Sequence, residues 1–272
     1  MKRNLKSFIP SVLMGPAREA YLALCRVPDL RGIYLHPWRL ESISRLAALR
    51  GAHKGKRAFI LGNGPSLSRM DLSPLKHEFT FGLNRIYLMF PSLGFQTSCL
   101  VSVNDLVIEQ CVREMQALSV PRFFSWRARR FVAPGSRGAD LPTFLYTTYE
   151  SPKFALDARA RLWEGATVTY VALQLAFHLG FQQVVLIGVD HYFTTQGQAN
   201  KTIVSDGEDP NHFSPGYFGK GFRWQLPDLE TSEIAYGMAR AAYRRAGREV
   251  IDATAGGQLT IFPKADYNSL FQ

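Results

Sequence analysis

The sequence has little cysteine, and none of it is arranged to bind metal or to form a redox pair. Only Cys25, Cys99 and Cys111 occur among 272 residues, with no Cys-x-x-Cys motif. This excludes a disulfide-stapled scaffold and gives no sign of a zinc site. Such cysteine usage is typical of a reducing compartment, so we expect a cytoplasmic protein. Glycine shows no short period, which excludes a collagen-like chain.

Long apolar runs and an acidic excess are also missing. No stretch approaches the roughly 20 apolar residues that a membrane-spanning helix needs. The chain has 32 Lys and Arg against 22 Asp and Glu, a net charge of +10, and 46% of its residues are hydrophobic. This composition excludes a largely disordered protein. The basic excess predicts an anionic partner and leaves nucleic acid, membrane headgroups and nucleotide phosphates as candidates.

Residues 1–50 differ in character from the rest of the chain. They are basic and rich in Leu and Ala, and two prolines and an arginine within 10–18 interrupt the apolar portion. That interruption argues against a signal peptide. Such a segment suits a helical arm packed on the core, or a peripheral contact with the inner face of a membrane. We interpret 1–50 as an N-terminal basic, helical extension and 51–272 as the main domain.

From Lys56 onward, short apolar runs alternate with helical patterns. Strands that are apolar almost throughout are typical of a parallel sheet covered by helices on both faces. The sequence therefore predicts an α/β fold with a mostly parallel sheet. The predicted strands are 57–61, 79–84, 99–105, 122–125, 183–190 and 249–254, and the predicted helices are 168–179 and 229–246.

Polar residues stand at the ends of several predicted strands. In open α/β sheets, ligands bind beyond the carboxyl ends of the strands, so these residues are expected to meet at one crevice. Amide side chains both donate and accept hydrogen bonds, which suits a sugar, a base or a carboxylate. A carboxylate there can accept from ribose hydroxyls, bind a metal, or serve only an Asx turn or helix cap. The residues concerned are Asn63, Asn84, Asn104, Asp190 and Thr254.

The first predicted strand runs into the turn Gly62-Asn63-Gly64-Pro65-Ser66. Two glycines let backbone amides approach an anion closely. The turn lacks the Lys-Ser/Thr of a P-loop and the third glycine of a dinucleotide fingerprint. Asn84 also stands where an NAD enzyme has an acidic residue. Dehydrogenases and P-loop kinases are thus disfavoured, and a purely structural turn remains an alternative.

A long loop at about 194–223 contains Asp209-Pro210-Asn211-His212-Phe213 and is too rich in Pro and Gly for a regular element. Aromatic residues and a histidine in such a loop predict a lid over a site. His212 is the candidate general base, because an ordinary imidazole changes charge near working pH. The arginine clusters around 127–137 and 240–248 are interpreted as helix faces and solvated loops. They lack the interleaved aromatics of single-strand nucleic-acid platforms, and no nucleic-acid partner is expected.

These motifs together resemble two known groups. The Gly-Asn-Gly-Pro-Ser turn, Asn84, Asn104, Gly188-Val189-Asp190-His191-Tyr192 and the downstream His212 resemble glycosyltransferase family 42, bacterial sialyltransferases that use CMP-activated sugars. The loop at 209–213 and 253–257 resemble the group described as 6-hydroxymethylpterin diphosphokinase MptE-like. The similarity covers roughly residues 55–265. It implies a Rossmann-like catalytic domain over 51–272, a variant of the GT-A arrangement, with a lid at about 194–223.

The resemblance to the sialyltransferases implies a role for each matching residue. His212 would deprotonate the acceptor hydroxyl, and Tyr192 would support the leaving phosphate. The residues implied in binding the donor nucleotide sugar are Gly62, Asn63, Gly64, Ser66, Asn84, Asn104, Thr167 and Asp190. The implied activity is inverting transfer of sialic acid or a related acidic sugar from a CMP donor. The acceptor would be a glycan or lipid-linked glycan in surface polysaccharide synthesis, and no metal would be required.

Two departures from the sialyltransferase pattern concern the donor. The Thr-Ser-Gly that opens their central helix reads Thr167-Val168-Thr169 here, and Gln198 stands where a second phosphate tyrosine is expected. Another CMP-linked acidic sugar therefore fits as well as sialic acid. The alternative activity is a pterin diphosphokinase, in which Asp190, with Asp105 or Asp209, would hold Mg²⁺ between ATP phosphates.

Overall fold

The computed structural model describes Tyr21, Val27 and residues 30–195 and 197–272. Eight parallel strands form its sheet. In chain order they are β1 (Arg57–Leu61), β2 (Thr80–Leu83), β3 (Cys99–Ser102), β4 (Arg122–Ser125), β5 (Thr143–Thr148), β6 (Arg161–Trp163), β7 (Gln183–Ile187) and, last, β10 (Glu249–Asp252). Two more strands, β8 (Thr202–Val204) and β9 (Arg223–Gln225), pair antiparallel as a separate hairpin. The spatial order of the sheet is β10-β7-β1-β2-β3-β4-β5-β6.

Helices cover both faces of this sheet. They are α1 (Pro37–Leu49), the single turn α2 (Phe90–Leu93), α3 (Asp105–Gln116), α4 (Val168–Leu179) and α5 (Leu229–Arg245). The predicted mostly parallel, Rossmann-like α/β fold is confirmed. No helix in the described part of the chain is both long and apolar enough to cross a membrane.

The alternation of side chains along each strand divides the core into two layers. In β1, Ala58 and Ile60 face the layer that holds α4 and α5, while Phe59 and Leu61 face the layer that holds α3. Both sets are fully buried because successive side chains of a strand point to opposite faces. α4 is buried along nearly its whole length, and Gly180, at φ +95°, ends it as predicted.

Helix α1 packs against β5, the strand next to the β6 edge of the sheet. Ser42 Oγ accepts a hydrogen bond from the backbone N–H of Phe144 in β5 at 2.9 Å, and Leu46 is fully buried in the core. Residues Pro37–Leu49 of the predicted helical extension therefore form a helix that packs on the core. Most of 1–29, including the basic start of the chain, lies outside the described residues.

The structure also contains strands that were not predicted. β5 is fully buried although it reads Thr-Phe-Leu-Tyr-Thr-Thr, and β6 has only three residues. The predicted lid loop contains β8 and ends at the first residue of β9, so a short hairpin lies at its base. These strands are short or threonine-rich, so the apolar pattern that revealed β1 and β7 is missing from them.

Candidate functional site

A cleft lies at the point where the order of strands in the sheet reverses. From β1 the chain adds strands on one side as far as β6, and then returns to place β7 on the other side of β1. Such a switch point opens a crevice at the carboxyl ends of the two central strands. Gly62 follows β1 there and Gly188 follows β7. A Cβ on Gly62 would lie 2.2 Å from the Gly188 carbonyl oxygen, so the close approach of the two turns requires glycine.

Asp190 holds the glycine turn in shape. Its Oδ2 accepts from the Ser66 hydroxyl at 2.7 Å, and its Oδ1 accepts from the Ser66 backbone N–H at 3.1 Å. A Cβ on Gly64 would lie only 1.8 Å from Asp190 Oδ2. Ser66 is fully buried and lies behind the turn. These two hydrogen bonds from Ser66 fix the Asp190 carboxylate in position. The Ser66 hydroxyl already donates to Asp190.

Asn63, at the tip of the same turn, connects the turn to the lid. Its backbone carbonyl accepts from the Phe213 N–H at 2.9 Å, one residue beyond His212. Its side-chain Oδ1 is buried and has no hydrogen-bond partner within the described structure. Because buried polar atoms are nearly always paired, this oxygen is a candidate acceptor for a ligand N–H or O–H.

The cleft has two connected compartments. The turn compartment is lined by Gly62, Asn63, Gly64, Asp190, His191 and Tyr192, among others. The amide compartment is lined by Asn84, Asn104, Tyr149, Glu164, Trp224 and Gln225, among others. His212, Thr167 and Asp228 line both. The structure thus brings the residues predicted at several strand ends around one cleft, although their binding roles stay predictions. Thr254 instead accepts from the Val189 N–H at 3.2 Å, behind the turn.

Three of the predicted donor-binding side chains also have structural partners. Asn104 caps α3, its Oδ1 accepting from the Leu106 N–H at 2.9 Å. Thr167 caps α4 by accepting from the Thr169 N–H at 3.3 Å. Asn84, which lines the amide compartment, accepts at Oδ1 from the hydroxyl of Ser102 at 2.9 Å.

His212 is held rigidly by its neighbours. Its Nδ1 lies 2.8 and 2.9 Å from the two carboxylate oxygens of Asp209, and its ring stacks on Tyr217 with centroids 4.0 Å apart. Asp209 is 7% exposed and also accepts from the Phe218 N–H. Arg85 fixes Tyr217 by donating to its carbonyl and hydroxyl oxygens. A proton on Nδ1 can donate to Asp209, which leaves Nε2 as the acceptor nitrogen, as a general base requires.

Backbone strain concentrates in this cleft. The described residues contain four non-glycine positions with positive φ, and all four line one of the two compartments. They are Asn84, Ala166, His191 and Asn200. Each such conformation costs about 1–3 kcal/mol and persists only where the surroundings enforce it, and such residues cluster at functional sites. This distribution supports the cleft as the functional site.

Two carboxylates that pair with histidines of the cleft are not predicted in that role from the sequence. From the sequence, Asp209 is predicted only as a metal ligand, and the Asp-x-x-His spacing to His212 is the local signal for the pair. A second pair joins His191 Nε2 to Glu233 Oε1 at 2.9 Å, across 42 positions of sequence. No sequence pattern predicts that contact, because it depends on where α5 packs.

The interpretation of the first arginine cluster as solvated is wrong for Arg127. Its guanidinium donates to Glu164 at 2.7 Å and to Tyr149 at 2.8 Å, and lies 3.4 Å from Asp105. Burial raises the pKa of Glu164, and Arg127 opposes that shift. Tyr149 and Glu164 of this network line the amide compartment, whereas Arg127 does not.

The carboxylates predicted for the magnesium alternative are not grouped. Asp105 pairs with Arg127 and Arg130, Asp190 is bound to Ser66, and Asp209 is bound to His212. Within the described ranges, no three His, Cys, Asp or Glu side chains lie close enough to hold a metal ion. Cys99 and Cys111 are buried in the core, and Cys25 lies outside the described residues.

Comparison with known proteins supports both fold and family. The chain resembles the structure of the MAf glycosyltransferase from Magnetospirillum magneticum AMB-1, with a TM-score of 0.50 and 17% sequence identity. The similarity covers 96% of this chain but only 43% of that one, and at this identity it concerns the fold alone. No curated protein matches the sequence. The family described as 6-hydroxymethylpterin diphosphokinase MptE-like matches residues 39–196, more than half of the chain. This protein therefore belongs to the 6-hydroxymethylpterin diphosphokinase MptE-like family.

Proposed function

We propose that this protein is an inverting glycosyltransferase. It transfers sialic acid or a related acidic sugar from a CMP-activated donor to a glycan or lipid-linked glycan acceptor, in surface polysaccharide synthesis. The observation that carries the proposal is the position of His212. Its imidazole, oriented by Asp209, lines both compartments of the cleft. A base at that junction can act on an acceptor in one compartment while the nucleotide occupies the other.

The donor nucleotide is assigned to the turn compartment. Backbone amides around Gly62 and Gly64 can approach it closely because neither residue has a side chain. The unpaired Oδ1 of Asn63 accepts a hydrogen bond from the nucleotide. Tyr192, whose side chain is largely exposed and lines the compartment, donates to the leaving phosphate.

The sugar and the acceptor hydroxyl are assigned to the amide compartment, beside Asn84 and Asn104. His212 Nε2 removes the acceptor proton as the acceptor oxygen bonds to the anomeric carbon. The bond between that carbon and the phosphate oxygen breaks, and CMP leaves with the electron pair. Attack from the face opposite the leaving group inverts the anomeric configuration.

The basic N-terminal segment supports a cytoplasmic enzyme held peripherally at the inner face of the membrane, where a lipid-linked acceptor would lie. Residues 1–50 carry nine of the 32 Lys and Arg and only three acidic residues. Donor binding and acceptor access would then occur at the same surface.

The first test is a thermal-shift comparison of CMP, CDP, UDP, GDP and ATP, each with and without Mg²⁺. A ligand at 100 times its Kd stabilises the folded state by about 2.7 kcal/mol, which raises the Tm by roughly 5–10 °C. We expect that response to CMP without metal. Stabilisation only by ATP with Mg²⁺ would contradict the proposal. That result would instead favour the alternative that the family match supports, a magnesium-dependent 6-hydroxymethylpterin diphosphokinase.

The second test addresses the base. His212→Ala should lower the rate of CMP release from a CMP-sugar in the presence of acceptor by about 10²–10⁴-fold, because general-base catalysis contributes that much. His77→Ala is the matched control, since His77 is an exposed histidine in another segment. Equal turnover by wild type and His212→Ala would refute the assigned mechanism.

A further inference from the structure

The amide compartment holds an exposed aromatic ring that the proposed mechanism does not use. Phe218 and Trp224, which line this compartment, are buried, whereas Tyr149 is 63% exposed. Exposed apolar area is unfavourable in water, so such a ring in a cleft is a candidate contact for a ligand. Of the two compartments, Tyr149 lines only the amide one, whereas His212 lines both. A ligand on Tyr149 would therefore lie on the side of His212 that is assigned to the acceptor.

Arg127 holds the ring of Tyr149 in place. The guanidinium carbon lies 4.3 Å from the ring centroid, and Nη2 donates to the Tyr149 hydroxyl at 2.8 Å. Arg127 is itself fixed by Glu164 at 2.7 Å. Because Tyr149 lines the amide compartment and Arg127 does not, the ring separates the guanidinium from the cleft. One face of the ring is therefore covered, the other is turned to the compartment, and little freedom would be lost when a ligand binds there.

The polar groups around this ring suit a neutral sugar. Asn104 Nδ2 lies 3.4 Å from Gln225 Oε1, a long contact that a ligand hydroxyl can replace, and both amides can donate and accept. Glu164 also lines the compartment, and Arg127 behind the ring is shared between Glu164 and Asp105. No Lys or Arg of the described ranges lines this compartment. An acidic sugar at the ring would meet a like charge, so the neutral acceptor is favoured there over the acidic donor sugar.

We infer that Tyr149 binds the acceptor by stacking the free face of its ring on a neutral pyranose. This inference rests on the proposed function. A pyranose presents C–H groups on its face and hydroxyls around its edge. Its face can therefore pack on an aromatic ring while its hydroxyls reach the amides of Asn104 and Gln225. Stacking holds the acceptor in the compartment that His212 also lines, where one hydroxyl can reach the base. Tyr149 is thus a substrate-binding residue that determines which acceptors are used.

The test measures saccharide binding by saturation-transfer NMR in the presence of saturating CMP. The probes are the methyl glycosides of glucose, galactose and N-acetylglucosamine, with methyl glucuronide as the acidic counterpart. We expect at least one neutral glycoside to bind, with saturation transferred to its ring C–H protons, and the glucuronide to bind more weakly. Tyr149→Ala should bind that glycoside about 5- to 30-fold more weakly, because an aromatic contact is lost. Tyr149→Phe should stay within about 3-fold of wild type, because it keeps the ring face.

Controls separate this inference from the proposed function. Calorimetric CMP affinity should change less than about 2-fold in both Tyr149 variants. Tyr34→Ala, which removes a 54% exposed tyrosine outside the cleft, should alter neither ligand. Wild type that fails to bind CMP would overturn the proposed function. Wild type that binds CMP but no neutral glycoside, or that prefers the glucuronide, would overturn only the inference about Tyr149. Equal glycoside affinity of wild type and Tyr149→Ala would also overturn it, as would equal weakening of CMP and glycoside, which would show a purely structural role.

Discussion

Substitution of Gly64 by alanine tests how the turn and Asp190 are coupled. The new Cβ would lie 1.8 Å from Asp190 Oδ2 and 2.9 Å from the Gly188 carbonyl oxygen. Real Cβ atoms essentially never approach other atoms within 3.0 Å, so the carboxylate must move by about 1 Å or the turn must open. Either movement breaks the 2.7 and 3.1 Å hydrogen bonds from Ser66 to Asp190.

The expected cost follows from those two bonds. A hydrogen bond to a charged group contributes about 1.5–3 kcal/mol, and water can replace part of that at a half-buried carboxylate such as Asp190. We therefore expect Gly64→Ala to lower the free energy of unfolding by about 2–4 kcal/mol. For a chain of this size that corresponds to a Tm lowered by roughly 5–15 °C. Nucleotide binding should weaken as well, because the displaced Asp190 lines the turn compartment.

Urea denaturation of wild type, Gly64→Ala and Gly237→Ala measures this effect with an internal control. Gly237 lies within α5, has ordinary helical backbone, and a Cβ added to it would meet no atom within 4 Å. Alanine there should stabilise the protein by about 0.5–1 kcal/mol through helix propensity. A Gly64→Ala protein with the urea midpoint of wild type would show that the turn does not depend on the close approach to Asp190.

Two further predictions concern groups outside the cleft. A hydrogen bond from Arg159 lowers the pKa of Asp157 from 3.8 to about 2, so its stabilising effect is complete above pH 3.8 and is lost as the pH falls towards 2. Between those values wild type should lose about 1 kcal/mol more stability than Asp157→Asn, and parallel acid-unfolding curves would contradict this. Burial raises the pKa of the Cys99 and Cys111 thiols, so in a Cys25→Ser background neither should react with a disulfide reagent until urea unfolds the chain. Rapid labelling of the folded protein would show that one of them is accessible.

Local patterns in the sequence were enough for the general architecture. β1 and β7 are continuous apolar runs bounded by polar or glycine residues, and α4 has a threonine cap and a terminal glycine. Such features are read from neighbouring residues, because strand and helix formation depends mainly on periodicity and on turn residues. The carboxyl ends of parallel strands share one edge, which is why the positions of Asn63, Asn84 and Asn104 near one cleft were also predictable.

The partners within the site depended on the packing of the whole chain. Ser66 and Asp190 are 124 positions apart, and they meet because β7 returns to lie beside β1. His191 meets Glu233 only because α5 packs against the same edge. Periodicity records which face of an element is apolar, but it does not record the order of strands or which helix covers them.

Charge shows the same division between sequence and structure. Counting residues established a net charge of +10 and an expectation of anionic partners. Only the tertiary structure placed Arg127 in a network with Glu164 and left both compartments without a lining Lys or Arg among the described residues. The net charge does not say where each charged side chain lies. Because the electrostatic force on a phosphate depends on distance, the role of each cation is decided by the fold.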